Sequence, residues 1–145
     1  MKQSWEGAAL RAAALWGAAL WLLATVPLVV AGDRLLAPLD HARGVVTVLV
    51  AAAATALILV PLWRLFARGR ELDPMAAALV FGVGAGSTGL ALDAALLLVR
   101  RFDYPGVSAA HTPTLVTGLM SAYAAFVLVP ALDALRRPAG AARTR

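Results

Sequence analysis

The chain has 145 residues, 61 % of them apolar and only 14 % charged, with a net charge of +5 and no cysteine. Its mean hydropathy is +0.80, and a soluble domain carries roughly 25 % charged residues, so a water-soluble globular class is excluded, as are disulfides, thiolate chemistry and Cys-ligated metals. The positive balance does not point to nucleic acid, because the basic residues gather at the ends of apolar runs, where orientation in a membrane places them.

Ala12 to Gly32 holds no charge and spans about 30 Å as a helix, the thickness of the hydrocarbon core. It predicts the first transmembrane helix. Lys2 and Arg11 flank it, and Trp5 precedes it as an interfacial anchor. Val29-Val30-Ala31 resembles a signal-peptide cleavage site, but the apolar run is longer than the ~7–15 residues of such a segment, which favours a span.

The first loop, Asp33 to Arg43, carries Asp33, Arg34, Asp40, His41 and Arg43, and Pro38 stops any continuing helix. Gly44 to Trp63 is the second uncharged span, with Trp63 at interface depth. The second loop holds Arg64, Arg68, Arg70, Glu71 and Asp73. The third helix is predicted to start at Pro74 with Asp73 as N-cap and to run to Val99, with Asp93 its only charge. The third loop runs from Arg100 to about Pro113. The fourth helix covers about Thr114 to Leu132, followed by Asp133, Arg136 and Arg137.

These elements predict an all-α integral membrane bundle of four transmembrane helices, up-down-up-down. Residues 1–137 form one domain and 138–145 a basic C-terminal tail. Nine of the 13 Lys and Arg residues lie in the N-terminus, second loop and C-terminus, against four in the first and third loops. The positive-inside rule then puts both termini in the cytoplasm.

Leu59-Val60-Pro61 recurs as Leu128-Val129-Pro130. Duplication of a helical hairpin and chance similarity both account for it. Under duplication, Arg64 and Asp133 stand at equivalent places and are candidates for an ion pair.

Gly84-Ala85-Gly86-Ser87-Thr88-Gly89 matches G-x-G-x-x-G. That fingerprint binds dinucleotides only between a strand and a helix. Here it lies inside a span, so it is rejected, and no cofactor is expected. Helical spacing instead puts Gly82, Gly86, Gly89 and Asp93 on one face, with Arg100 two turns further. Gly82 and Gly86 form a G-x-x-x-G pair suited to close helix packing. Ala13, Gly17 and Ala24 on the first helix offer a matching small stripe.

An ionisable group at membrane depth marks either a working site or a buried pairing. Asp93 has three readings: a pair with Arg100; hydrogen bonds to Thr114, Thr117 or Ser121 on the fourth helix; or exposure to a water-filled cavity, where it binds a cation, a proton or an amine. His41 and His111 lie in the outer loops near Asp40 and Asp103. No metal-ligand spacing accompanies them, so they read as solvated loop residues and no metal is expected. Pro27, Pro61 and Pro130 fall within spans and are candidate kinks. Tyr123 lies near mid-membrane, opposite the Thr/Ser stripe, where its hydroxyl needs a partner such as a backbone carbonyl.

The run Gly89-Leu90-Ala91-Leu92-Asp93, the turn Phe102-Asp103-Tyr104-Pro105 and the segment Gly118-Leu119-Met120-Ser121-Ala122-Tyr123 resemble small four-helix bacterial membrane proteins grouped as domain of unknown function 5367. In layout the resemblance spans most of the chain, in motif only about 20 residues. It implies that Asp93, Tyr104 and Pro105 carry over as shared positions. It also implies a bacterial inner-membrane protein, and it implies no activity.

Three function classes follow. One is a small transporter or ligand-binding membrane protein, with Asp93, Arg100, Arg101, Asp103 and Tyr104 as ligand or ion-coupling candidates. Four helices enclose little volume, so a homodimer is expected in that case. A second is an integral-membrane enzyme acting on a lipid or apolar substrate, with Asp93 and Asp103 as acid and base and Arg100 or Arg101 holding an anionic head group. The third is an accessory subunit whose glycine face docks a membrane-complex partner. The lipid bilayer is the surrounding in all three.

Overall fold

The computed structural model of the chain describes residues 2–68, 70, 72–101 and 103–136, with side chains from Gly7 onward. The expectations for Lys2, Trp5, Glu71, Phe102, Arg137 and the basic tail lie outside the described residues or side chains. Four helices make up the fold: α1 (Lys2–Leu35), α2 (Ala42–Ala67), α3 (Pro74–Val99) and α4 (Thr112–Leu135). All four are long and apolar enough to cross a membrane, and no strand occurs among the described residues.

The helix starts follow from local chemistry. Asp73 accepts from the backbone N–H groups of Met75 and Ala76 at 3.0 and 3.1 Å, satisfying donors that a helix start leaves orphaned. Pro74 and Pro113 occupy the first turns of α3 and α4, where a missing N–H costs nothing. The helices outrun their uncharged spans, because charge-free length marks the hydrocarbon crossing and not the end of backbone hydrogen bonding. Thus α2 continues past Pro61 and Trp63 to Ala67. Within α1, Ala31 leaves helical geometry at φ −143°, ψ 23°, beside the place where the third loop crosses the helix.

The polarity of the fold is that of a membrane protein. Large side chains such as Leu15, Leu23, Val30, Leu57 and Val99 point outward. Much of the interior is small: Ala13, Gly17, Gly82, Gly84, Ala85 and Gly86 are all buried. Lipid tails are as apolar as leucine, so helix association rests on close van der Waals packing, which small residues allow. A Cβ at Gly17 would lie 2.4 Å from the Ala85 carbonyl oxygen, and one at Gly82 would lie 2.5 Å from that of Phe126.

The glycine face expected to meet α1 meets α4 instead. Gly82 and Gly86 abut Phe126, and Gly89 abuts Tyr123, whereas Gly84 and Ala85 take Ala13 and Gly17 of α1. A helix buried between two neighbours needs two small faces, and α3 has both. Helix α1 therefore packs on α3, α3 on α4 and α4 on α2. The α2–α3–α4 end holds Leu59, Trp63, Phe66 and Phe81 in one cluster, with the Phe66 and Phe81 rings 5.2 Å apart. Trp63 is fully buried there.

Candidate functional site

Asp93 is buried, 3 % exposed, about 9 Å inside the C-terminal end of α3 by helical rise. Three aromatic side chains supply its hydrogen bonds. Its Oδ1 accepts the Trp21 indole N–H from α1 at 2.8 Å and the Tyr104 hydroxyl from the third loop at 3.3 Å. Its Oδ2 accepts the Tyr123 hydroxyl from α4. Thr25, one turn beyond Trp21, reaches the Tyr104 hydroxyl at 3.4 Å. A carboxylate takes about four such bonds, and in an apolar medium each buried polar group requires a partner. The cluster is therefore a small polar island on which two helices and a loop converge around α3.

The third loop is fastened over this island. Gly106 has φ +76°, and a Cβ there would lie 2.2 Å from the Val29 carbonyl oxygen. Only glycine meets both demands. The Asp33 N–H donates to the Gly106 carbonyl at 3.0 Å. The Asp33 carboxylate accepts from the Ser108 N–H at 2.7 Å and pairs with His111 Nδ1 at 2.7 Å. These ties bring Tyr104 under the loop. Burial pushes the Tyr104 phenol up to about 12, so it stays a donor well into the alkaline range.

A cavity of about 70 Å³ opens beside Asp93, lined by Trp21, Thr25, Tyr104, Tyr123 and Phe126 among others. Its floor is Ala85 and Gly89 of α3. The α1 and α4 walls have no packed interface with each other among the described residues, which makes the cavity a cleft.

The sequence candidates divide. Asp93 and Tyr104 come together. Arg100, Arg101 and Asp103 stay exposed in the turn and do not line the cleft. Asp93 does not pair with Arg100: its hydrogen-bond partners are the three aromatics, and it is buried where Arg100 is exposed. Nor does it bond the hydroxyl stripe of α4. Thr114 donates to the Ala37 carbonyl, Thr117 to that of Pro113 and Ser121 to that of Thr117. Tyr123 finds a carboxylate, not a backbone carbonyl. His111 pairs with Asp33, not Asp103, and His41 pairs with its neighbour Asp40 at 2.9 Å. Arg64 Nε donates to Asp133 Oδ2 at 2.9 Å, with a second bond from its terminal nitrogen. Among the described residues no group of three or more His, Cys, Asp or Glu is placed to hold a metal ion.

Sequence reasoning passed over Trp21 and Thr25. A signal existed: they lie four apart, hence on one helix face, in the middle of an apolar span. An indole N–H at that depth needs an acceptor. No known protein family, curated protein or solved structure matches this chain.

Proposed function

We propose that this protein is a membrane-embedded ligand-binding protein of the small-transporter class, with Asp93 as the recognition group. One observation carries the reading: a buried carboxyl, held by aromatic donors from α1, the third loop and α4, forms the wall of an open cleft. A carboxyl retained only for packing needs no cleft beside it. A catalytic pair with Asp103 lacks support, because that residue is exposed and away from the cleft. The distribution of basic residues favours a cytoplasmic-membrane protein with both termini inside and the cleft nearer the outer face.

The absence of native cysteine makes the test direct. A single thiol is placed at Ala122, on the α4 wall of the cleft, with outward-facing Leu57 as the control. A small water-soluble thiol reagent is expected to modify Ala122→Cys and leave Leu57→Cys untouched. A thiol at 122 that resists both this reagent and a small membrane-permeant one, in well-folded protein, would mean a sealed cluster, and a structural role for Asp93 would replace the binding role.

A further inference from the structure

The chemistry of the cleft restricts what it accepts. A carboxyl among aromatic and aliphatic walls favours a cation over an anion or a neutral molecule. Two kinds of cation fit poorly. A hard metal ion requires several oxygen ligands at once, and the oxygens here are already engaged with one another: Thr25 with Tyr104, and Tyr104 and Tyr123 with Asp93. A primary ammonium brings three N–H donors. Oδ1 already has two donors and Oδ2 one, so about one of the four acceptor positions of the carboxylate is left. The other two N–H groups of a primary ammonium would then have only the lone pairs of the Thr25, Tyr104 and Tyr123 hydroxyls, oxygens already held by one another and by Asp93, and turning those oxygens away from their partners has a cost.

An ammonium ion with one N–H, or with none, avoids that cost. Its charge is spread over methyl or methylene groups that suit the leucine and alanine walls. Trp21, Tyr104, Tyr123 and Phe126 supply aromatic surface, which attracts such cations through the ring quadrupole. The volume agrees. At ~10–15 Å³ for each water-sized group, a cavity of about 70 Å³ has room for about five to seven heavy atoms, enough for a trimethylammonium or tetramethylammonium group.

We propose that the cleft between α1 and α4 binds a tertiary or quaternary organic ammonium group, with Asp93 as its counter-ion and the surrounding aromatic side chains as its cage. The assignment rests on the reading of the cleft as a binding site. The group arrives either as a free small cation or as the head of a lipid, because α1 and α4 do not pack on each other along the cleft and leave it a lateral opening.

The full chain in maltoside micelles, which carry no ammonium, is titrated with tetramethylammonium, trimethylammonium, methylammonium and neutral tert-butanol. Binding is followed by calorimetry and by the indole N–H resonance of Trp21, identified by its loss in Trp21→Phe. Tetramethylammonium and trimethylammonium are expected to bind at least tenfold more tightly than methylammonium, and tert-butanol not to bind. Asp93→Asn, which keeps a similar shape, is expected to lose tetramethylammonium binding at least tenfold. Equal affinity for methylammonium, equal affinity for tert-butanol, or no binding by any of them overturns the proposal. The comparison with tert-butanol uses the unaltered protein, so it stands even where Asp93→Asn fails to fold.

Reconstitution separates the two sources. In phosphatidylcholine bilayers a lipid head group is expected to shift the Trp21 resonance and block free tetramethylammonium, relative to phosphatidylglycerol bilayers. A free cation binds equally in both. Either pattern supports the ammonium assignment. A reactive thiol in Ala122→Cys together with no ammonium binding would sink the assignment and leave the binding-site reading intact. An unreactive thiol would remove both.

Discussion

Tyr123 of α4 donates its hydroxyl to Oδ2 of Asp93 on α3, one turn from the point where the same ring lies against Gly89. The hydrogen bond and the close approach depend on each other. A side chain at position 89 would displace the ring, with a Cβ only 3.1 Å from Tyr123 Cε1, and the hydroxyl with it. Asp93 and Tyr123 thus join the polar cluster to the small-residue seam between the two helices.

Tyr123→Phe removes one donor from the buried carboxyl and leaves the ring. Interhelical hydrogen bonds in membrane proteins contribute about 0.6 kcal/mol on average and up to ~1.7. The loss for this variant is expected in the upper half of that range, because the carboxyl remains buried. A double-mutant cycle with Asp93→Leu, which leaves no acceptor for the hydroxyl, read by denaturant unfolding in micelles, is expected to show coupling of similar size. Additive losses would mean that the bond contributes nothing to stability.

Close packing predicts a ranking among glycine substitutions. Gly82→Ala and Gly17→Ala push a methyl against a neighbouring backbone oxygen, at 2.5 and 2.4 Å, and are expected to cost about 1–3 kcal/mol. Gly118→Ala meets nothing within 4 Å and lies inside α4. It is expected to be neutral or to stabilise by up to ~1 kcal/mol through helix propensity. Melting temperatures of the three variants give the order directly.

The third loop should control the cleft. Gly106→Ala places a methyl in the Val29 carbonyl at a positive φ, and Asp33→Ala removes the acceptor of Ser108 and His111. Both variants are expected to speed hydrogen exchange at the Trp21 indole, which neither residue touches, by releasing Tyr104. Unchanged exchange in both would show that the loop is passive.

Stability at high pH should depend on Tyr104. Its phenol is raised by burial from 10.0 to about 12 in the fold. The folded state therefore holds its proton in a range where the unfolded chain has released it. The contribution is complete below pH 10 and disappears as pH rises towards 12. Alkaline unfolding in micelles is expected in that window, and Tyr104→Phe is expected to flatten it. An identical profile for the variant would remove Tyr104 as the cause.

Charge reversal tests the pair that links α2 to α4. Arg64→Asp and Asp133→Arg are each expected to destabilise, and the double variant to recover most of the loss. Recovery should weaken in high salt, because Arg64 is partly exposed and solvent-exposed pairs are screened.

The four spans were legible because hydropathy and length are local properties: a helix that crosses lipid shows it in about 20 consecutive residues. The start of α3 was equally plain, since Asp73 caps within three residues of itself. Asp93 stood out as a charge in an apolar run. Its partners did not, because Trp21 and Tyr123 lie 72 and 30 residues away in sequence. Which of several mid-span donors reaches a carboxyl depends on how each helix is rotated about its axis. In water an apolar stripe fixes that rotation. In lipid the interior and the surroundings are equally apolar, so the sequence shows small residues on two sides of α3 without saying which neighbour each side takes. Tertiary packing settled it: with backbone approaching backbone at Gly17 and Gly82, α1 and α4 are turned so that their polar side chains meet over Asp93.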